Sequence, residues 1–134
     1  MIEVPKAIYS YFSAEPHNDF YNDISGRLYF SEAPQGTARP YAVQHLISQE
    51  PEYFFGSERF EDFLVQFDLY DESQSAVNIG NYYNHMCKLF DHAAIAVTGF
   101  GTIKFERESS RFIRDPESNV WRYTVDYSIK LEKE

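Results

Sequence analysis

The sequence predicts an α+β fold: a mostly antiparallel sheet of four or five strands, two helices packed on one face, and a long C-terminal hairpin. Three observations predict it. Apolar residues recur at helical spacing in Val4–Phe12 and again in Ala76–Phe90. Apolar and polar residues alternate in Phe63–Tyr70 and, without a break, in Trp121–Leu131. Clusters of Pro, Gly, Asp and Asn punctuate the chain between these segments.

The first helix opens at Val4-Pro5, where proline is acceptable in the first turn, carries Ile8, Tyr11 and Phe12 at helical spacing, and ends before Pro16. His17 to Ser25 is polar and turn-rich and reads as a loop. Arg27 to Phe30 is a brief β-prone run. In Pro34-Gln35-Gly36 the proline fixes φ and the glycine admits positive φ, which makes a turn. Pro40 cannot donate to a ladder and holds Arg39 extended, so the second strand begins at Tyr41 and runs to Ile47. Ser48 to Ser57, with Pro51 and Gly56, reads as a connection.

In the long strand that follows, Phe63, Val65, Phe67 and Leu69 form an apolar row for the core, and Leu64, Gln66, Asp68 and Tyr70 a mixed row. Asp71 with Gln74 resembles a capping box, and Ser73 is an alternative cap for the second helix. Ala76, Ile79, Tyr83, Met86 and Phe90 then fall on one stripe that should dock on the sheet. Ile95, Val97, Ile103 and Phe105 form one row, interrupted by Gly99 and Gly101, which predicts a single bent strand. Arg111 to Arg114 continue it, Asp115 to Asn119 turn, and Trp121, Tyr123, Val125, Tyr127, Ile129 and Leu131 make the return strand.

At 134 residues the chain fits one domain over residues 1–134. Its 12 Phe and 11 Tyr supply apolar area to offset chain entropy. Acidic residues outnumber basic ones by 21 to 12, a net charge of −9, which disfavours sequence-independent binding to phosphate backbones. Cys87 is the only cysteine, so no intrachain disulfide is available, and its helical setting predicts a buried, inert thiol. No apolar stretch approaches a signal core or a membrane span, which predicts a protein made and kept in the cytoplasm unless it leaves in an assembly.

Recognisable chemistry is scarce. His85 and His92 are two helical turns apart, about 10 Å along the axis, too far to share a metal. His17 and His45 have no ligand-spaced carboxylate or cysteine, and His45 shares the row of Tyr41, Val43 and Ile47. Asp68 and Asp126 would form an acid/base pair only if their strands were neighbours, and solvated carboxylates are the commoner reading. There is no Gly-x-Ser-x-Gly elbow and no phosphate loop. No catalytic, cofactor-binding or metal-binding residue is assigned.

Gly-Arg-Leu-Tyr-Phe at residues 26–30, the Ala-Pro-Gln-Gly-Thr-Ala-Arg-Pro-Tyr loop at 33–41, the Gln66–Tyr70 strand, the helix after it and the Arg-rich terminal hairpin together resemble the tail completion proteins of long-tailed phages and prophages. That family includes tail terminators and tail-to-head joining proteins, and the likeness spans Gly26 to Lys130 in the same element order. It implies a non-enzymatic late structural protein of the virion that caps the head-proximal end of the tail tube and joins it to the DNA-filled head. The implied state is a ring of six on the tube; the net charge of −9, by which free subunits repel one another, predicts a monomer in solution before docking. The implied partners are the tail tube protein and a head-completion or connector protein. DNA passes through the ring without specific binding, and no membrane is involved. The implied location is the head–tail junction, with the host cytoplasm as the place of assembly. The competing readings are a head-side connector and a small α+β enzyme or ligand-binding domain with an aromatic pocket.

A ring needs one surface of a subunit to meet a different surface of the next. The hairpin from Arg107 to Trp121 is the candidate, because Arg107, Arg111, Arg114 and the nearby Arg122 concentrate cations in an acidic chain. Gln35 and Arg39, in the Pro/Gly loop, complete the candidate assembly surface. Charges that guard an exposed strand edge are the plainer alternative.

Overall fold

Three helices and six strands occupy the described residues of the computed structural model, which are 3–14, 19–54, 57–72, 75–97, 101–115 and 119–132. In chain order they are α1 Glu3–Ser13, α2 Asp19–Asp23, β1 Leu28–Phe30, β2 Tyr41–Phe54, β3 Ser57–Asp71, α3 Ala76–Phe90, β4 Ala94–Val97, β5 Gly101–Asp115 and β6 Val120–Glu132. The strands form one sheet in the order β1-β2-β3-β6-β5-β4. Every pairing is antiparallel except β1 with β2. The α+β class and the mostly antiparallel pairing are as expected, but the sheet is mixed and has six strands rather than four or five, and three helices cover it rather than two.

Two segments depart from the expected strands. Ser48–Phe54 continues β2 instead of forming a connection, and it pairs with Ser57–Leu64. Pro51 is tolerated there because of where its missing N–H would point. The amides of Ala42 and Ser31 bond across the β1 side, so Ala42 and Gln44 turn their backbone groups away from β3. After the bulge between Leu46 and Ser48 that alternation turns Pro51 outward as well, so proline there removes no bond to β3. In the second, the expected single bent strand is two strands: Ala94–Val97 and Gly101–Lys104 are antiparallel neighbours with Ile95 opposite Ile103, and Gly99 lies outside the described residues. Residues paired across strands share a face, so the expected apolar row survives while the topology around it changes.

Two local expectations also change. The stretch read as a loop holds the short α2, whose Phe20 is buried. The helix α3 is capped by Ser75, whose Oγ accepts the Val77 amide at 3.2 Å, rather than through Asp71; Ser73 and Gln74 lie outside the described residues. Between α2 and β1 the chain turns tightly at Gly26, with φ +74°; a Cβ there would sit 2.9 Å from the Tyr21 ring.

Phe63, Val65, Phe67 and Leu69 of β3, Val125, Tyr127 and Ile129 of β6, and Ile103 and Phe105 of β5 line the covered face of the sheet. Val4, Ile8 and Phe12 of α1, Phe20 of α2, and Ile79, Met86 and Phe90 of α3 close over it in the same cluster. Phe90 stacks on Phe67 with centroids 4.8 Å apart and on Phe105 at 5.5 Å, and meets Tyr127 edge-on at 6.2 Å. The space between helices and sheet is filled by these rings.

The sheet curls. Helix α1 lies against β4 through Ala7, Ser10 and Tyr11, and against the other end of the strand order through Pro5 and Tyr9, which face Leu28–Phe30. The Pro5 carbonyl accepts a hydrogen bond from Gln44 Nε2 at 3.3 Å. One helix reaches both ends only because twist brings the ends together. No helix among the described residues is long and apolar enough to cross a membrane.

Phe90 is fully buried in this cluster, so Phe90→Ala should destabilise the protein by about 3–5 kcal/mol in urea unfolding. A loss under about 1 kcal/mol would mean that α3 does not anchor the core.

Candidate assembly interface

The strand register fixes where the projecting parts lie. Asp71 pairs with Trp121 and Asp115 with Val120, so the β5–β6 tip extends from the end of the sheet where β3 finishes. Phe60 pairs with Glu132 and Ser57 with Phe54, so the β2–β3 tip extends from the other end. The Pro/Gly loop lies on the first side, since Arg39 Nη1 meets Glu72 Oε2, next to Asp71, at 3.1 Å. Gln35 is exposed in a turn where Gly36 has φ +82° and both the amide and the hydroxyl of Thr37 donate to the Pro34 carbonyl. The structure therefore brings Arg39, Arg111 and Arg114 toward one end of the sheet, while Gln35 lies in the loop beside Tyr29 and Phe30.

The arginines of the hairpin are not equivalent. Arg107, at the bulge between Arg107 and Ser109, turns back to α3. Its Nη1 donates to Tyr83 Oη at 2.5 Å and to Cys87 Sγ at 3.1 Å, while Nη2 lies 3.3 Å from Asp91 Oδ2. Tyr127 donates to the other oxygen of Asp91 at 2.7 Å, and burial, with that carboxylate beside it, pushes the Tyr127 hydroxyl well above the usual tyrosine range. Arg122 Nη2 pairs with Asp68 Oδ1 at 3.1 Å on the opposite face. Arg114 lies 4.6 Å over the Trp121 ring and donates to Asn119 Oδ1 at 3.1 Å. Arg111 is exposed opposite Thr124 and makes no ion pair with the described residues.

Around Arg114 the hairpin builds a row of stacked rings that the sequence reading did not single out. Tyr83 of α3 stacks on Tyr123 at 4.2 Å and 8°, Tyr123 meets Phe112 at 4.7 Å, and Phe112 stacks on Trp121 at 5.2 Å and 6°. Its signal was the alternation of Trp121 and Tyr123 opposite Phe112. Phe112 remains 44 % exposed and Ile113, on the other face, 46 %.

The helix-free face carries a second feature missed from sequence. Asp68, 2 % exposed, accepts from Thr124 Oγ1 at 2.8 Å and Gln66 Nε2 at 3.1 Å, and pairs with His45 Nε2 at 3.1 Å as well as with Arg122. Asp126 has its own donor, Ser109 Oγ at 3.0 Å. Although β3 and β6 are neighbours, the two carboxylates are separately engaged and do not form the acid/base pair considered above. His85 meets Asp23 of α2 at 2.5 Å. Burial raises the Asp23 carboxyl above its ordinary range, against the lowering effect of His85. Among the described residues no group of three or more His, Cys, Asp or Glu could hold a metal ion.

The fold is thus a curled mixed sheet covered by helices on one face, with hairpin tips at its two ends and its polar clusters engaged in internal bonds. The same fold occurs in a solved virus-like assembly: the chain superposes on a chain of the virion of a native gene transfer agent particle with a TM-score of 0.77 at 10 % identity, covering 95 % of this chain and 92 % of that one. A second solved structure superposes with a TM-score of 0.63 at 9 % identity, covering 99 % and 94 %. The sequence profile of the family described as Tail completion protein gp17 matches residues 8–132, and the chain belongs to that family of phage tail structural proteins. No curated protein matches it.

Burial pushes the Cys87 thiol up, with Tyr83 and Arg107 acting in the opposite direction. Alkylation of native Cys87 by iodoacetamide at pH 8 should therefore be at least about tenfold slower than in the urea-unfolded chain. Equal rates would contradict the packing of Arg107 and Tyr83 around this sulfur.

Proposed function

We propose that this chain caps the head-proximal end of the tail tube and joins the tail to the filled head, acting as a ring of six. The family supports a tail role. The observation that carries the finer reading is the pair of hairpin tips at opposite ends of one sheet, which offers a subunit two unlike surfaces for contact with other chains. The surface of Arg111, Arg114, Gln35 and Arg39 is the one we assign to assembly. Arg107 supports it from behind by holding β5 to α3. Subunits carrying a net charge of −9 repel one another, so the chain stays monomeric until specific contacts with the tube overcome that repulsion. The proposed partners are the tail tube protein and the head-completion or connector protein, and DNA crosses the ring without being specifically bound.

The direct test is electron microscopy of purified chain carrying a small density label, mixed with headless tubes from particles lacking it and, separately, with tailless heads. Label at one tube end is the expected result. Decoration of heads alone would move the protein to the head side, and binding to neither would overturn both. Arg111→Glu with Arg114→Glu should abolish tube-end binding while leaving the far-ultraviolet circular dichroism unchanged, and full binding by that variant would remove these arginines from the interface.

A further inference from the structure

The β5 strand has an open edge of defined chemistry. Strand β4 covers only Gly101–Lys104, and the Phe105 amide still reaches the Ala93 carbonyl at 3.0 Å. Beyond that, among the described residues, Ser109–Asp115 pairs only with β6. Phe105 turns its backbone groups away from β6, and one extra residue enters at the bulge between Arg107 and Ser109. The alternation then puts the outward-facing amides at Ser110, Phe112 and Arg114. This run contains no proline and no second bulge, has exposed apolar residues on both faces in Phe112 and Ile113, and carries Arg111 and Arg114 with no acid before Asp115. Such an edge is a template for another strand.

The other long free edge, on β2 after Gln44, differs in kind. A bulge at Ile47 interrupts it, and Pro51 faces outward without an N–H, so ladder bonding along it stops before residue 51. The hairpin sequence around Pro51 and on into β3 is acidic, with Glu50, Glu52, Glu58, Glu61 and Asp62 against Arg59. The two hairpin segments are thus unlike and opposite in charge by sequence, which suits a contact between different surfaces of identical subunits, the type that closes rings.

We infer that the open β5 edge, from Ser109 to Arg114, receives the acidic β2–β3 hairpin of a second copy of this chain. The segment before Pro51 continues the ladder onto β5, and the acidic stretch complements Arg111 and Arg114. This inference rests on the ring reading above and names its joint.

Disulfide trapping tests it. In a Cys87→Ala background, Ser110→Cys is combined with Gln49→Cys, or with Asn81→Cys on the exposed face of α3 as the control. Each chain is oxidised both bound to tail tubes and free at high concentration. The expected result in at least one setting is a ladder of covalent multimers for the Ser110/Gln49 pair and none for the control. Adding Arg111→Glu and Arg114→Glu should cut the trapped yield by about tenfold, and Glu50→Lys with Glu52→Lys should restore it in the doubly reversed chain. Trapping no greater than the control in both settings, or a doubly reversed chain that traps no better than the singly reversed one, would overturn the inference. Tube-end microscopy reports separately on the tail reading, so trapping in free solution without tube binding would retain the joint and discard the location.

Discussion

Everything in this fold depends on how one aromatic ring in the last turn of α3 is held. Phe90 lies against Phe67 of β3, Phe105 of β5 and Tyr127 of β6, so a single helix residue ties together three strands. Aromatic contacts of this kind add about 0.5–1.5 kcal/mol per pair beyond the area they bury. Their larger effect is geometric, because a helix seated across three strands sets how strongly the sheet curls. The curl brings β4 and the β1/β2 edge to the same helix α1, and so fixes the directions in which the two long hairpins project.

Polar groups refine that frame. Arg107 spans Tyr83, Cys87 and Asp91, and Tyr127 returns to Asp91, so the end of α3 is bonded to the bulge of β5 and the register of the hairpin is pinned where it leaves the body. On the opposite face Asp68 is a buried carboxylate with charged and neutral donors from β2, β3 and β6. Removing one donor from such a cluster leaves another group unsatisfied, which makes it a device for registering three strands more than a source of net stability. Using arginines in this way leaves Arg111 and Arg114 as the cations that the distal hairpin presents outward.

The parts legible in the sequence were those governed by local periodicity. The stripe Ile79, Met86, Phe90 and the rows of β3 and β6 were readable because burial alone imposes their spacing. Segments whose state depends on a neighbour were not. Pro51 argues against a strand until one knows that its nitrogen faces a free edge, and Gly99 with Gly101 fits a bend as well as a reversal until pairing chooses. The five residues of α2 are too few to show a period. The loop and hairpin positions of the candidate surface, Gln35, Arg39, Arg111 and Arg114, were named from turn chemistry and charge alone. That Arg107 faces α3 was not readable, because its partners Tyr83, Cys87 and Asp91 lie before the intervening strand β4, up to 24 residues away in the chain.

The central claim is that this chain ends a tail as a closed ring and is not a repeating part of the tube. Quantitative mass spectrometry of purified tails, counting copies of this chain against copies of the tube protein in tails of different length, tests it most directly. The account predicts about six copies per tail whatever the tube length, as a single closed ring requires. A copy number that rises in proportion to tube length would contradict it.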